Sequence, residues 1–283
     1  MNKFKSKSIL TNIIMPEGPE VRIIVNQLNN LVRKQNLQAI NIHSGRYSKK
    51  SPDGFLNFRD LLPLKLQDVK CKGKFIYFEF ANNQYMFNTL GMSGGWKVKK
   101  EKHSHYEFVF DKITIYFTDM RNFGTLKFIN QKNLLDKKLK TLGADVFTPE
   151  YNLDYVNQVL GSSKLENKTI VEVLMNQAKF CGIGNYLKSE ILYACHISPH
   201  RQLKDLTETD KKNIYTHSKR IVKESYADGG GSAGDFSDLE NKSGSYKFKM
   251  MVYNQKQDPV GYKIKKESTK DKRTTHWVPE IQK

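Results

Sequence analysis

The hydrophobic period of this chain changes once along its length, and that change limits what the chain can fold into. From about residue 37 to 130, apolar residues alternate or run together at strand length. Examples are Ala39-Ile40-Asn41-Ile42, Phe75-Ile76-Tyr77-Phe78-Glu79-Phe80, Tyr85-Met86-Phe87, and residues 106–110 and 113–117. The last two face each other across Asp111-Lys112, as the arms of a hairpin would. Beyond about residue 142 the spacing becomes helical, with candidate helices at 153–160, 169–177, 185–196 and 207–226. Strands grouped first and helices grouped after predict an α+β protein, with an N-terminal β-sandwich flanked by helices.

Charge narrows the function classes. Lys and Arg number 47 against 29 Asp and Glu, a formal net charge of +18 on a chain that is 38% hydrophobic with a mean hydropathy of −0.62. No stretch approaches the roughly 18 to 20 consecutive apolar residues of a membrane helix, so the chain is not expected to span a bilayer. Such a surplus most often serves a polyanion, and nucleic acid is the expected partner. The three cysteines, Cys71, Cys181 and Cys195, form no C-x-x-C pair. They argue against a disulfide framework and a cysteine-rich zinc site, and for a reducing intracellular compartment, cytoplasm or nucleus. His103 and His105 lack partners at metal-ligand spacing, so no structural metal and no cofactor are expected.

Residues 1–14 are basic and lack acids, and their apolar run is too short for a secretory signal; an organellar presequence is a weaker option. The character changes at Met15-Pro16-Glu17-Gly18-Pro19-Glu20-Val21. There prolines and acids open an apolar-periodic run through Val21, Ile23, Ile24, Leu28 and Leu31, a helix start. The helix expected at 207–226 begins Thr207-Glu208-Thr209-Asp210, a cap with acids at the positive end of the dipole. A Gly- and Ser-rich segment from Gly229 to Ser245 reads as a mobile loop. The Lys-rich tail carries short strand-like pieces at 249–253, 262–264 and 274–278, a small hairpin module.

Several constellations could carry chemistry. If the chain begins at Pro16, its nitrogen is a secondary amine. The reference pKa of an α-amino group, about 7.7 to 8.0, leaves it partly unprotonated and nucleophilic. Glu17 beside it could move a proton on a sugar ring oxygen. The same residues also describe an ordinary helix start, and spacing alone favours that plainer reading. Lys74, in Gly73-Lys74-Phe75, could reach a phosphate or simply flank a strand. Met92, in Leu90-Gly91-Met92-Ser93-Gly94, and Arg121 and Phe123, in Asp119-Met120-Arg121-Asn122-Phe123-Gly124, suit plugs that fill the gap left by an extruded base. Equally, Met92 and Phe123 could be core, with Arg121 paired to Asp119. Gly182-Ile183-Gly184-Asn185-Tyr186, between two helices, fits either a phosphate clamp or a packing joint. Arg273, in Lys272-Arg273-Thr274-Thr275-His276-Trp277, sits at the tip of the expected hairpin, where Arg with aromatics suits a phosphate or flipped-base contact; an ordinary basic tail is the plainer reading.

The order of these motifs along the chain, with Ile197-Ser198-Pro199-His200-Arg201, resembles the Fpg/Nei family, the formamidopyrimidine-DNA glycosylases and endonuclease VIII. The resemblance runs from Pro16 to nearly Lys283. It implies a bifunctional DNA glycosylase and AP lyase of base-excision repair, acting as a monomer on damaged DNA. In that role Pro16 attacks C1′, Glu17 assists base loss, and Lys74 contacts phosphate and serves the β- and δ-elimination steps. Met92, Arg121 and Phe123 fall on void-filling positions, Asn185 on the phosphate-binding Asn of a helix-two-turn-helix, His103 on a DNA-contacting His and Arg273 on the fingertip Arg. The domains implied are an extension at 1–15 absent from the active form, a sandwich at 16–145, a helix-two-turn-helix domain with the lesion loop at 146–245, and a finger at 246–283.

Two departures from the family pattern bear on function. Where two C-x-x-C pairs would fall the chain reads Val260-Gly261-Tyr262-Lys263 and Val278-Pro279-Glu280-Ile281. This resembles the zincless finger of some endonuclease VIII-like members and, with Asp119-x-Arg121-Asn122-Phe123-Gly124-Thr125, suggests oxidised pyrimidines and formamidopyrimidines as substrates. The other departure is the stretch before Pro16, which makes its nitrogen a tertiary amide and predicts an active form that starts at Pro16. A non-catalytic binder of damaged or structured nucleic acid is the rival reading.

Overall fold

The computed structural model describes residues 15–231 and 237–283. Helix α1 (Gly18–Val32) starts at a reciprocal cap, in which the Glu17 backbone N–H donates to the Glu20 carboxylate at 2.8 Å. The strands that follow are β1 (Asn36–Ile42), then, after the short α2 (Phe55–Arg59), β2 (Leu64–Lys72), β3 (Phe75–Phe80), β4 (Tyr85–Thr89), β5 (Gly94–Lys97), β6 (Ser104–Phe110), β7 (Thr114–Asp119) and β8 (Thr125–Ile129). They lie in the order β5-β7-β6-β1-β2-β3-β4-β8. Strands β1 and β2 pair only at Asn36↔Lys65 and Leu37↔Leu64, so the sheet folds there into two layers. Trp96, fully buried, spans the layers: its ring lies 5.3 Å from Phe78 and 4.9 Å from Phe108, and its indole N–H donates to Asn88 at 3.0 Å. The apolar face of α1, Val21, Ile24, Leu28 and Val32, closes the same core.

The expected hairpin forms between β6 and β7, with Phe108 opposite Ile115. Strands β2, β5 and β8 lie outside the sequence expectation. In β2 lysines alternate with the core residues Leu64, Leu66 and Val69 and dilute the apolar signal. In β5 two of the four residues are glycine.

Helix α3 (Lys132–Lys140) and the two-residue strand β9 (Ala144–Asp145) lead to the helical half, α4 (Leu153–Leu160), α5 (Ile170–Leu174), the two-residue β10 (Phe180–Cys181), α6 (Asn185–Ala194) and α7 (Glu208–Ala227). Their apolar faces, including Val156, Val171, Leu187, Ile191 and Ile214, form a second core. Thr207 caps α7, its hydroxyl accepting the Asp210 backbone N–H at 3.1 Å. The chain ends in a hairpin of β11 (Lys265–Ser268) and β12 (Thr274–Trp277). Of the other strand-like pieces of the tail, 249–253 forms no strand and 262–264 contributes one isolated bridge, Gln257↔Lys263. Residues 251–253 instead give their backbone N–H groups to the buried Glu190 carboxylate at 2.8 to 3.0 Å, which takes them out of any sheet ladder.

The mobile loop expected from Gly229 to Ser245 is corrected in part. Gly231 donates its N–H to Glu20 at 2.6 Å, Leu239 is buried in the sandwich core, and Lys97 donates to the Asp238 carbonyl at 2.8 Å. Both flanks are pinned to the N-terminal half, one at α1 and the other at the sandwich; residues 232–236, the centre of the expected lesion loop, lie outside the described residues.

Candidate active site

Three glycines let the two halves meet. Gly18 donates its N–H to the Gly182 carbonyl at 2.9 Å, and a Cβ on Gly73 would stand 2.3 Å from Cys181 Sγ and 2.5 Å from Gly182 N. The β2–β3 turn, the start of α1 and the loop before α6 therefore close on one another with backbone against backbone. Asp145 ties the joint. Its carboxylate accepts Gly73 N–H at 2.8 Å and pairs with Arg22 at 3.1 Å.

The closure brings together Pro16, Glu17 and Lys74. Pro16 is buried and lines a cavity of about 310 Å³ with Lys72, Lys74, Lys138, Gln177 and Cys181. The Glu17 carboxylate lies at the N-terminus of α6, accepting N–H from Tyr186 at 2.9 Å and Leu187 at 3.3 Å. Burial pushes its pKa up from 4.5 to about 7, against the pull of Lys74 and those N–H groups. Burial also holds the Lys74 ammonium below its ordinary range, opposed by Glu17 and Glu20. Gly184 is the contact between the two groups. A Cβ there would stand 2.2 Å from the Glu17 carboxyl carbon and 2.5 Å from Lys74 Nζ. The arrangement holds a carboxyl group able to give or take a proton near neutrality beside a chain nitrogen and a lysine, in a pocket whose other charges are cationic.

The wall of this cavity includes Gly91, the residue before Met92. Gly91, at φ +64°, packs against the backbone of Phe123 and Gly124 and so joins the two expected plug-bearing turns. Arg121 Nη1 lies 3.6 Å from Met92 Sδ, and Phe123 is 56% exposed. Asp119 shapes the turn: its carboxylate accepts the Ser93 hydroxyl and the Gly124 N–H, each at 2.6 Å, and the backbone N–H of Arg121 at 3.2 Å. Phe123 is thus not core; Arg121 and Met92 touch, and Phe123 stands on the turn that packs against Gly91. His103 is half-buried in the adjoining turn with φ +69°, and its carbonyl accepts Asp119 N–H at 3.0 Å. The buried neighbour His105 bonds Ser44 Oγ at 2.7 Å and the Asp119 carbonyl at 2.9 Å, supporting the same turn.

Asn185, the first residue of α6, donates from Nδ2 to the Thr274 carbonyl at 2.9 Å, and its Oδ1 is buried with no partner among the described residues. Arg273 is exposed at the tip of the β11–β12 hairpin, near enough for its charge to oppose protonation of Lys74. Sequence reading thus named residues from seven separate segments; the fold brings Pro16, Glu17 and Lys74 together, sets Arg121 against Met92, and places Arg273 within charge range of Lys74.

Sequence reading missed the layer behind them. Glu20, fully buried, accepts the Glu17 N–H, the Tyr186 hydroxyl at 2.9 Å and the Gly231 N–H, and so fixes where Glu17 begins. Its signal was present as the three-residue spacing from Glu17 to Glu20 ahead of an apolar run. Asp145 and Tyr186 carried no such signal, because their partners are distant in sequence. Among the described residues no group of three or more His, Cys, Asp or Glu could hold a metal, and no helix is long and apolar enough to cross a membrane.

Comparison with known proteins matches residues 15–126 to the formamidopyrimidine-DNA glycosylase N-terminal domain, 142–237 to the H2TH domain of those enzymes and 238–283 to their C-terminal domain. A formamidopyrimidine-DNA glycosylase from Wolbachia sp. subsp. Brugia malayi is 30% identical over 252 residues, 87% of this chain and 90% of the relative. One from Prochlorococcus marinus is 31% identical over 288 residues, 95% of this chain and 100% of the relative. Among solved structures, the Fpg protein from Thermus thermophilus superposes with a TM-score of 0.84 at 23% identity, covering 94% of this chain and 98% of that one. A mutant Lactococcus lactis Fpg in complex with a Fapy-dG containing DNA gives 0.84 at 24%, covering 95% and 100%. These structural likenesses establish the shared fold.

Proposed function

The chain belongs to the Fpg/Nei family of DNA glycosylases, and we infer that it excises oxidised bases in base-excision repair and then nicks the abasic strand. The observation that carries the reading is the buried Glu17 carboxyl, poised near pH 7 between Pro16 and Lys74. In the form starting at Pro16 the secondary amine attacks C1′ of the damaged nucleotide, and the bond from C1′ to the base breaks, the base leaving with the bonding pair and taking up the proton that the amine loses. Protonated Glu17 delivers its proton to the ring oxygen as the sugar opens to the iminium. Loss of a C2′ proton then expels the 3′ phosphate, and a second elimination expels the 5′ phosphate, with Lys74 beside the departing phosphate charge. Asn185 and Arg273 hold the strand, His103 contacts it, and Met92, Arg121 and Phe123 occupy the gap left by the extruded nucleotide.

While residues precede Pro16 its nitrogen is an amide without a nucleophilic lone pair. The N-terminal family match, which begins at Met15, supports Pro16 as the working terminus. Formamidopyrimidines and oxidised pyrimidines are the proposed lesions, the first supported by the names of the relatives. A lesion panel tests this: preference for 8-oxoguanine opposite cytosine would overturn it.

Borohydride trapping on a duplex with one abasic site tests the chemistry, using protein that starts at Pro16 beside protein that starts at Met1. A covalent adduct from the Pro16 form alone is expected. No adduct from either form, with DNA binding intact, would leave the non-catalytic binder; adducts from both would move the nucleophile to a lysine, Lys74 first.

A further inference from the structure

Helix α6 carries Lys188 one turn beyond Asn185. Its side chain is fully buried, and Nζ lies 2.6 Å from Asp271 Oδ2, in a side chain only 2% exposed. Asp271 is in the turn between β11 and β12, two residues before Arg273. Its other oxygen, Oδ1, accepts the Thr269 hydroxyl at 2.6 Å and the Arg273 backbone N–H at 3.4 Å. Lys272 between them takes a positive φ of 59°, so the turn is sharply set just before the arginine. One carboxylate thus joins the helix at the cavity to the turn that presents Arg273.

Energetics say what such a pair is for. Burying two charges costs several kcal/mol of desolvation, and apolar replacements of similar volume are often neutral or stabilising. The pair therefore adds little to stability, whereas its geometry is directional. The hairpin has four residues per strand and needs orienting from outside, since an isolated two-stranded hairpin is marginal. Its other links to α6, Asn185 Nδ2 to the Thr274 carbonyl and His276 N–H to Ser189 Oγ at 3.5 Å, hold β12; the turn's own bonds, Thr269 N–H to the Arg273 carbonyl at 3.0 Å and Lys272 N–H to the Thr269 carbonyl at 2.8 Å, stay within the hairpin.

We propose that Lys188 and Asp271 are positioning residues that aim the fingertip Arg273 at the DNA strand over the active site. The inference rests on the reading of Arg273 as a DNA contact. A cycle of K188M/D271L, R273A and the triple variant in the full-length chain tests it, with binding to a duplex carrying a tetrahydrofuran abasic analogue measured across salt concentrations. The double variant should keep the wild-type melting temperature yet bind about tenfold more weakly, with a salt slope smaller by about 1, as R273A does. The triple variant should bind no more weakly than R273A. Wild-type binding by the double variant, or losses that multiply in the triple, would overturn the positioning role while leaving Arg273 in place. R273A that binds as the wild type does would overturn the Arg273 reading, and this inference with it. Should the double variant melt below the assay temperature, the isosteric D271N in the same cycle decides between these outcomes.

Discussion

At Glu17 one carboxyl group meets two demands, to be buried in the joint and to hold a proton near neutrality. Its pKa of about 7 gives it the proton on the acid side, whereas the Pro16 amine must lose its proton with a reference pKa of about 7.7 to 8.0. Base excision by the Pro16 form should therefore be bell-shaped in pH, with the alkaline fall assigned to Glu17. E17Q should lower base excision at least about 100-fold and spare strand cleavage at a preformed abasic site, whose sugar already opens to the aldehyde. Parallel assays on the two substrates check this; equal loss on both would remove the acid role. The same shift bears on stability. A carboxyl raised in the fold contributes stability below 4.5 that is lost as pH rises through about 7, a difference on the order of 3 kcal/mol. The melting temperature of E17Q should rise relative to wild type between those pH values.

Among the elements, the loop before α6 and the finger make opposite uses of packing. Gly184 has no space for a side chain, since a Cβ would overlap the Glu17 carboxyl and crowd Lys74. G184A should displace that carboxyl from the helix N-terminus and abolish excision, with DNA binding in the absence of chemistry reduced less than about tenfold. Comparing turnover with binding to an abasic analogue tests it. In the C-terminal module, apolar contact packs the segments around Val278 and Ile281, where one of the two expected C-x-x-C pairs would fall. Val252, Ile264 and Val278 form a buried cluster with Tyr193 and Ile281 packed on it, so two of the four would-be ligand positions are filled by core side chains; Val260 is 73% exposed. Chelators should leave activity and melting unchanged, and one equivalent of tightly bound zinc in purified protein would contradict this. V278A should cost about 1 to 3 kcal/mol by thermal denaturation.

On the scale of the whole molecule, Asp145 joins the sandwich to the helical half, with a side chain 3% exposed against Arg22, the Gly73 N–H and the Phe147 N–H. D145A should destabilise by about 3 kcal/mol, because Arg22 and a buried N–H lose their partner, and should lower turnover through misplacement of Lys74 beside Gly73. Unchanged melting would refute the latch. The sequence alone determined the strand and helix segments with strong periodicity, the β6–β7 hairpin, the charge that selects a polyanion, and the residue types of the site, because all of these are local in the chain. It could not show β5, whose glycines carry no pattern, nor the irregular course of 249–253, which depends on Glu190 from another helix. The tertiary structure alone decided the rest: the meeting of Gly18, Gly73 and Gly182, the contacts of Glu20 with Tyr186 and Gly231, the seating of Leu239 in the sandwich core, and the Lys188–Asp271 pair. Each joins segments far apart in sequence, so it exists only once the two cores, driven together by apolar burial, have closed on one another.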